Sequence, residues 1–94
     1  MNNNIKYFET NDINLASALI ANDIQLHNFS INGNIFTFIF EDQDSCIKME
    51  NLWLTDKLTV SAFKFSQALR QLKNIVFGRQ NVTYWGRPRI YWVI

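Results

Sequence analysis

Residues Ile24–Phe40 read IQLHNFSINGNIFTFIF, two stretches of alternating apolar and polar residues on either side of Asn32-Gly33. Both central positions of a type I′ turn need φ > 0, which Asn and Gly tolerate best, so the pattern predicts a β-hairpin turning on that pair. Its second arm repeats Phe36, Phe38 and Phe40 at period two, which sends three rings to one face and Ile35, Thr37 and Ile39 to the other. A face of three phenylalanines has to be covered, and the chain around it is read as what covers it. A two-residue turn at this pair sets Phe29 opposite Phe36 but leaves Ile24 and Leu26 on the other face. Either both faces are partly covered, or a bulge shifts the first arm.

Working outward, Asn2–Asn4 is a polar lead and Ile5–Thr10 has strand character, with Tyr7 and Phe8 offering one ring to each face. Thr10, Asn11 or Asp12 can cap a helix over Asp12–Asn22, in which Leu15, Ala18 and Leu19 fall at helical spacing and Asn22-Asp23 stops the run. On the far side of the hairpin, the acids Glu41, Asp42 and Asp44 introduce a second helix to Leu54, as the helix dipole favours. Cys46, Met49, Leu52 and Trp53 are expected to share its inner face. Ser61 then caps the longest helix, expected to run to Phe77 with Gly78 as its stop. Phe65, Ala68, Leu69, Leu72, Ile75 and Val76 form its apolar stripe and make it the predicted lid over the phenylalanines. Its other side carries Phe63, Lys64, Gln67, Arg70, Gln71 and Lys73. Val82–Trp85 and Arg89–Ile94 are both β-prone, and Gly86-Arg87-Pro88 between them predicts a second, aromatic hairpin.

The 94 residues, 48% apolar and 15% aromatic, suffice for one domain with a packed core. The expected organisation is a single α+β domain: a polar lead over 1–4, a β-α-β-β-α-α unit over 5–78 with a small antiparallel sheet covered by helices, and a C-terminal β-hairpin over 79–94. One cysteine excludes an internal disulfide, no apolar run approaches the length of a membrane span, and the opening residues lack a basic and apolar leader. These features give the expectation of an intracellular, cytoplasmic protein that does not engage a membrane.

The net charge of +1 conceals two opposite halves. Residues 1–47 hold Lys6 against six acids, a net −5, whereas residues 48–94 hold eight basic side chains against Glu50 and Asp56, a net +6. From Lys57 to the end no acidic side chain occurs.

Phe8–Leu19 (FETNDINLASAL), Gly33–Asp42 (GNIFTFIFED), Trp53 followed by Lys57–Val60 (KLTV), and Phe65–Lys73 (FSQALRQLK) carry a resemblance. In this order, over about three-quarters of the chain from Tyr7 to Ile75, they resemble a family of small phage and mobile-element proteins known only as a domain of unknown function. The resemblance implies a compact β-α-β-β-α-α unit and life inside a bacterial cell, a phage-infected host included. It implies no activity, and the tail from Gly78 lies outside it.

Catalytic chemistry finds few candidates. His27 is the only histidine and lies mid-strand, so no Ser/His/Asp set can be assembled around it, and three scattered glycines make no phosphate loop. Cys46 near a helix start could be a stabilised thiolate, but its apolar neighbours favour a buried structural role. Glu41, Asp42 and Asp44 could hold a cation through oxygens, but they lack calcium-loop spacing and are explained by helix capping. The expectation is a non-catalytic protein with no cofactor and no metal.

The basic-aromatic tail points elsewhere. Arg79, Arg87 and Arg89 among Tyr84, Trp85, Tyr91 and Trp92 place guanidinium forks beside flat rings, a combination suited to phosphates and stacked bases. Lys64, Arg70 and Lys73 would extend that field. The candidate binding set is therefore Lys64, Arg70, Lys73, Arg79, Tyr84, Trp85, Arg87, Arg89 and Trp92, with nucleic acid as the expected partner. The same residue types dominate protein hot spots, so an inhibitor or adaptor acting on a host protein complex, or a homodimer through the last strand, is the alternative. The third reading is structural: the rings complete the core and the arginines solvate its edge.

Overall fold

The structure, a computed structural model, describes residues 6–80. Its elements are β1 (Phe8–Thr10), α1 (Ile13–Ala21), β2 (Leu26–Asn32), β3 (Ile35–Phe40), α2 (Gln43–Leu54) and α3 (Ala62–Gln80). This is the expected α+β order. The three strands form one antiparallel sheet in the order β1-β3-β2, with β3 in the centre. The predicted C-terminal hairpin lies outside the described residues.

The hairpin forms, but its turn sits one residue later than Asn32-Gly33. Asn32 pairs with Ile35, which leaves Gly33-Asn34 as the two-residue loop. Gly33 has φ +66° and Asn34 does not have positive φ, the signature of a type II′ turn with glycine first. Cross-strand packing accounts for the shift. In this register Ile31 faces Phe36 and Phe29 faces Phe38, whereas a turn on Asn32-Gly33 would oppose Ile31 to Asn34. A bulge at His27 then realigns the arm so that Leu26 faces Phe40. Of the two arrangements open at the sequence level, the bulge is the one adopted.

Phe36, Phe38 and Phe40 point inward, at 8%, 1% and 0% exposure, and Phe8 joins them from β1 opposite Phe40. Each helix contributes to this cluster: Leu15, Ala16 and Leu19 from α1, Cys46 from α2 and Leu72 from α3. Burial of side chains of this size contributes about 1.5–3 kcal/mol each. The main cover is α1 and not α3 as the periodicity suggested, since α1 buries Leu15 through Leu19 and Ala21. Its small residues Ala16, Ser17 and Ala18 let neighbours approach closely, and the buried Ser17 hydroxyl donates to the Ile13 carbonyl at 2.8 Å. Among the described side chains of α3, Ala68 and Leu72 are buried, with Ile75 and Val76 packed at the margin of the cluster.

Caps define the helices. The Asp12 carboxylate accepts from the backbone N–H groups of Asn14 (2.9 Å) and Leu15 (3.3 Å), and Asp42 accepts from Ser45 N–H at 3.4 Å. Both α1 and α2 end in a Schellman arrangement with an aspartate in the left-handed position. Asp23 (φ 72°) donates to Ile20 O while Ile24 N–H reaches Leu19 O, and Asp56 (φ 63°) donates to Trp53 O while Lys57 N–H reaches Leu52 O. Ser61 Oγ accepts from Lys64 N–H at 3.3 Å at the start of α3.

Two helix expectations are corrected. Gly78 does not stop α3, which continues to Gln80; Gly33 is the described glycine with positive φ, so Gly78 does not take the left-handed conformation a glycine stop requires. Leu52 is 38% exposed and does not join Cys46, Met49 and Trp53, because it lies about 100° round the helix from Trp53.

Candidate nucleic-acid interface

The candidate residues that the structure describes all stand on α3. Asn22 Nδ2 donates to Thr59 O at 3.5 Å and Lys64 Nζ lies 3.8 Å from Asp23 Oδ1, so the start of α3 sits beside the end of α1. At the other end Val76 lines a gap with Ile13 and Phe36, so the two helices run antiparallel. With Ala68 and Leu72 turned to the core, Phe63, Lys64, Ser66, Gln67, Arg70, Gln71 and Asn74 are exposed and Lys73 is half-buried. Phe63 is a large apolar side chain left 70% exposed.

At about 100° per residue, Arg70 and Lys73 lie roughly 60° apart on this outer side, whereas Lys64 lies about 180° from Lys73. The three cations therefore do not form one cluster. Lys64 and Arg70 are exposed to water, and the ion pair of Lys64 with Asp23 is between side chains 55% and 84% exposed. Such a pair is weak and leaves Lys64 able to exchange partners. Arg79 belongs to the last turn of α3, with its side chain outside the described residues. Tyr84, Trp85, Arg87, Arg89, Tyr91 and Trp92 lie outside the described residues altogether. Asn74 was not singled out at the sequence level; it lies seven residues after Gln67, hence on the same side of the helix, and that spacing was the available signal.

Asp23, Glu41 and Asp42 line a cleft of about 350 Å³ where β2 begins and β3 ends, together with His27. There His27 Nδ1 is 3.1 Å from Glu41 Oε2, and the imidazole stacks on Tyr7 with centroids 4.9 Å apart at 26°. This Tyr7–His27–Glu41 group depends on the bulge that turns His27 outward, which alternation alone does not reveal. Glu41 is thus engaged with His27, Asp42 with the first turn of α2, and Asp44 stands in that turn. Among the described residues no group of three or more His, Cys, Asp or Glu could hold a metal ion. Cys46 is sealed in the core, where burial, aided by the negative charge of Asp42, pushes its thiol up to about 11. Its nucleophilic form is suppressed at neutral pH. Among the described residues no helix is long and apolar enough to cross a membrane.

No family model matches the chain, and neither a curated protein nor a solved structure matches it.

Proposed function

We propose that this protein is a non-catalytic nucleic-acid-binding module whose contact surface is the solvent side of α3, continued by the basic-aromatic residues Arg79 to Trp92. The observation that carries the reading is the composition of that helix: in 19 residues α3 has Lys64, Arg70, Lys73 and Arg79 and no carboxylate, with Lys64 and Arg70 exposed and Lys73 half-buried. Phosphates are the partner such a surface attracts, through neutralisation and release of counterions. The tail adds Arg87 and Arg89 with Tyr84, Trp85 and Trp92, residue types suited to phosphate forks and base stacking. The resemblance of Phe8–Leu19 and Phe65–Lys73 to small phage and mobile-element proteins fits an intracellular module of this kind.

Fluorescence anisotropy of the full chain with labelled single- and double-stranded oligonucleotides, at two salt concentrations, tests the proposal. Affinity falls steeply with salt, and the double variant Arg70→Ala/Lys73→Ala lowers the log–log slope by about 2, one for each phosphate that the two side chains neutralise. Absence of binding at low salt overturns it.

A protein partner, as inhibitor or adaptor target or as a second copy, is the second reading. Ile47 and Leu54, 43% and 72% exposed and seven residues apart on α2, are the apolar surface that favours it. Sedimentation of the isolated chain detects self-association, and Leu54→Glu abolishes it if that helix is the contact.

A further inference from the structure

The order of side chains around α3 says more than its charge. Taking about 100° per residue, the exposed arc opposite Ala68 and Leu72 begins with Lys64 at one margin and ends with Lys73 at the other. Between them come Gln71, Gly78, Gln67, Asn74, Phe63, Arg70, the half-buried Phe77 and Ser66. Cations therefore border both sides, and the middle holds three side-chain amides, one guanidinium and two rings, of which Phe63 is exposed.

We propose that α3 is a recognition helix for duplex DNA, entering the major groove with this arc toward the base pairs; the inference rests on the nucleic-acid reading above. A helix of about 10–12 Å diameter fits a major groove about 12 Å wide, and the two strands' phosphates then run along its two flanks. Lys64 and Lys73 stand on those flanks. The centre of the arc faces base edges, where Asn and Gln pair with the N6/N7 edge of adenine, Arg with O6/N7 of guanine, and an apolar ring with the thymine methyl. Gln67, Arg70, Gln71, Asn74 and Phe63 supply each of these chemistries. Seven residues separate Gln67 from Asn74, about 10.5 Å along the axis, which corresponds to roughly three base pairs. Double-stranded RNA is a poor alternative, because its major groove is too deep and narrow to admit such a helix. Counterion release alone asks only for cations on the contact face; side-chain amides set beside Arg70 and between two cationic margins are what base reading asks for.

The test is selection of the full chain on a duplex DNA library with a randomised window, followed by anisotropy on the enriched duplex, a scrambled duplex and the corresponding single strands. A motif emerges, and Gln67→Ala/Asn74→Ala weakens binding to the enriched duplex by about tenfold or more while leaving the scrambled duplex unchanged. Both positions are exposed, so the variant keeps the fold, which circular dichroism checks; Gln71→Ala is the independent second variant. Two results overturn the groove assignment and leave nucleic-acid binding standing: no enriched motif despite salt-dependent binding, or a motif preference that both variants retain. Failure to bind any of the probes at low salt overturns both readings together.

Discussion

The buried Cys46 thiol makes the packing of α2 measurable through pH. Its pKa is raised from 9.0 to about 11, first by desolvation and then by Asp42. Because the unfolded chain releases this proton from about pH 9 upward while the folded chain holds it to about pH 11, the folded state binds more protons in that window. Stability from this group is therefore complete below pH 9 and is lost as pH rises toward 11. At 1.36 kcal/mol per pH unit the loss reaches about 2 kcal/mol at pH 10.5. That is a large part of the total expected for 94 residues, about 5–14 kcal/mol. The comparison is with Cys46→Ala, which keeps every other ionisable side chain and lacks the thiol. Urea denaturation of both proteins at pH 8 and pH 10.5 should show the difference between them shifting by about 2 kcal/mol in favour of the variant at high pH. As a second readout, the native thiol at pH 8 should react with a disulfide reagent about a hundredfold more slowly than the unfolded one, in proportion to thiolate. Stability curves that stay parallel between the two pH values, or a native thiol that reacts at the unfolded rate, would mean that α2 does not close over the phenylalanines.

Three further predictions concern the backbone. Asp12→Ala strips the N-cap from Asn14 and Leu15 and should cost about 1 kcal/mol, a fall in Tm of about 4–8 °C by thermal denaturation. Asp56→Gly replaces a side chain held at φ 63° in an exposed corner and should stabilise by roughly 0.5–1 kcal/mol, seen as a higher urea midpoint with an unchanged slope. Gly33→Ala meets no atom within 4 Å yet must hold φ +66°, so about 1–2 kcal/mol is lost through backbone strain alone in the same denaturation experiment.

Where one periodicity dominated, the sequence was a reliable guide: the three phenylalanines of β3, the Asp12 helix and the order of elements follow from alternation and capping chemistry. What escaped was decided by packing between segments. Asn32-Gly33 is a strong local turn signal, yet opposing Ile31 to Phe36 moved the turn onto Gly33-Asn34. Gly78 carried a stop signal in a helix that continues through it. The assignment of α3 as the lid failed because a stripe shows which side of a helix is apolar, not how deeply it sinks; the small residues of α1 gave that helix the inner place. The outward side of α3 was legible as polar, with Gln67, Arg70 and Gln71 evident. The opposite placement of Lys64 and Lys73 required a fixed helical frame and the direction of the core.

Folding alone does not account for what α3 presents to water. Its inner arc is occupied by Ala68, Leu72 and their half-buried neighbours, so the exposed positions are free of packing demands. A helix selected only for stability gains a few tenths of a kcal/mol from each Glu–Lys pair at i, i+4, and a similar amount from an acid in its first turn. α3 takes neither: its first turn has no acidic residue and its 19 positions contain no carboxylate. The shorter α2 places Asp44 in its first turn, so the chain uses that device where it serves the fold. Each acid added to α3 would also repel a phosphate, so forgoing several small stabilising interactions is consistent with a surface kept for an anionic partner. Gln67→Glu separates the two demands: near Arg70 and Gln71 it should hold or slightly raise the urea midpoint while weakening binding to every nucleic-acid probe, and unchanged binding would refute the assignment of this face.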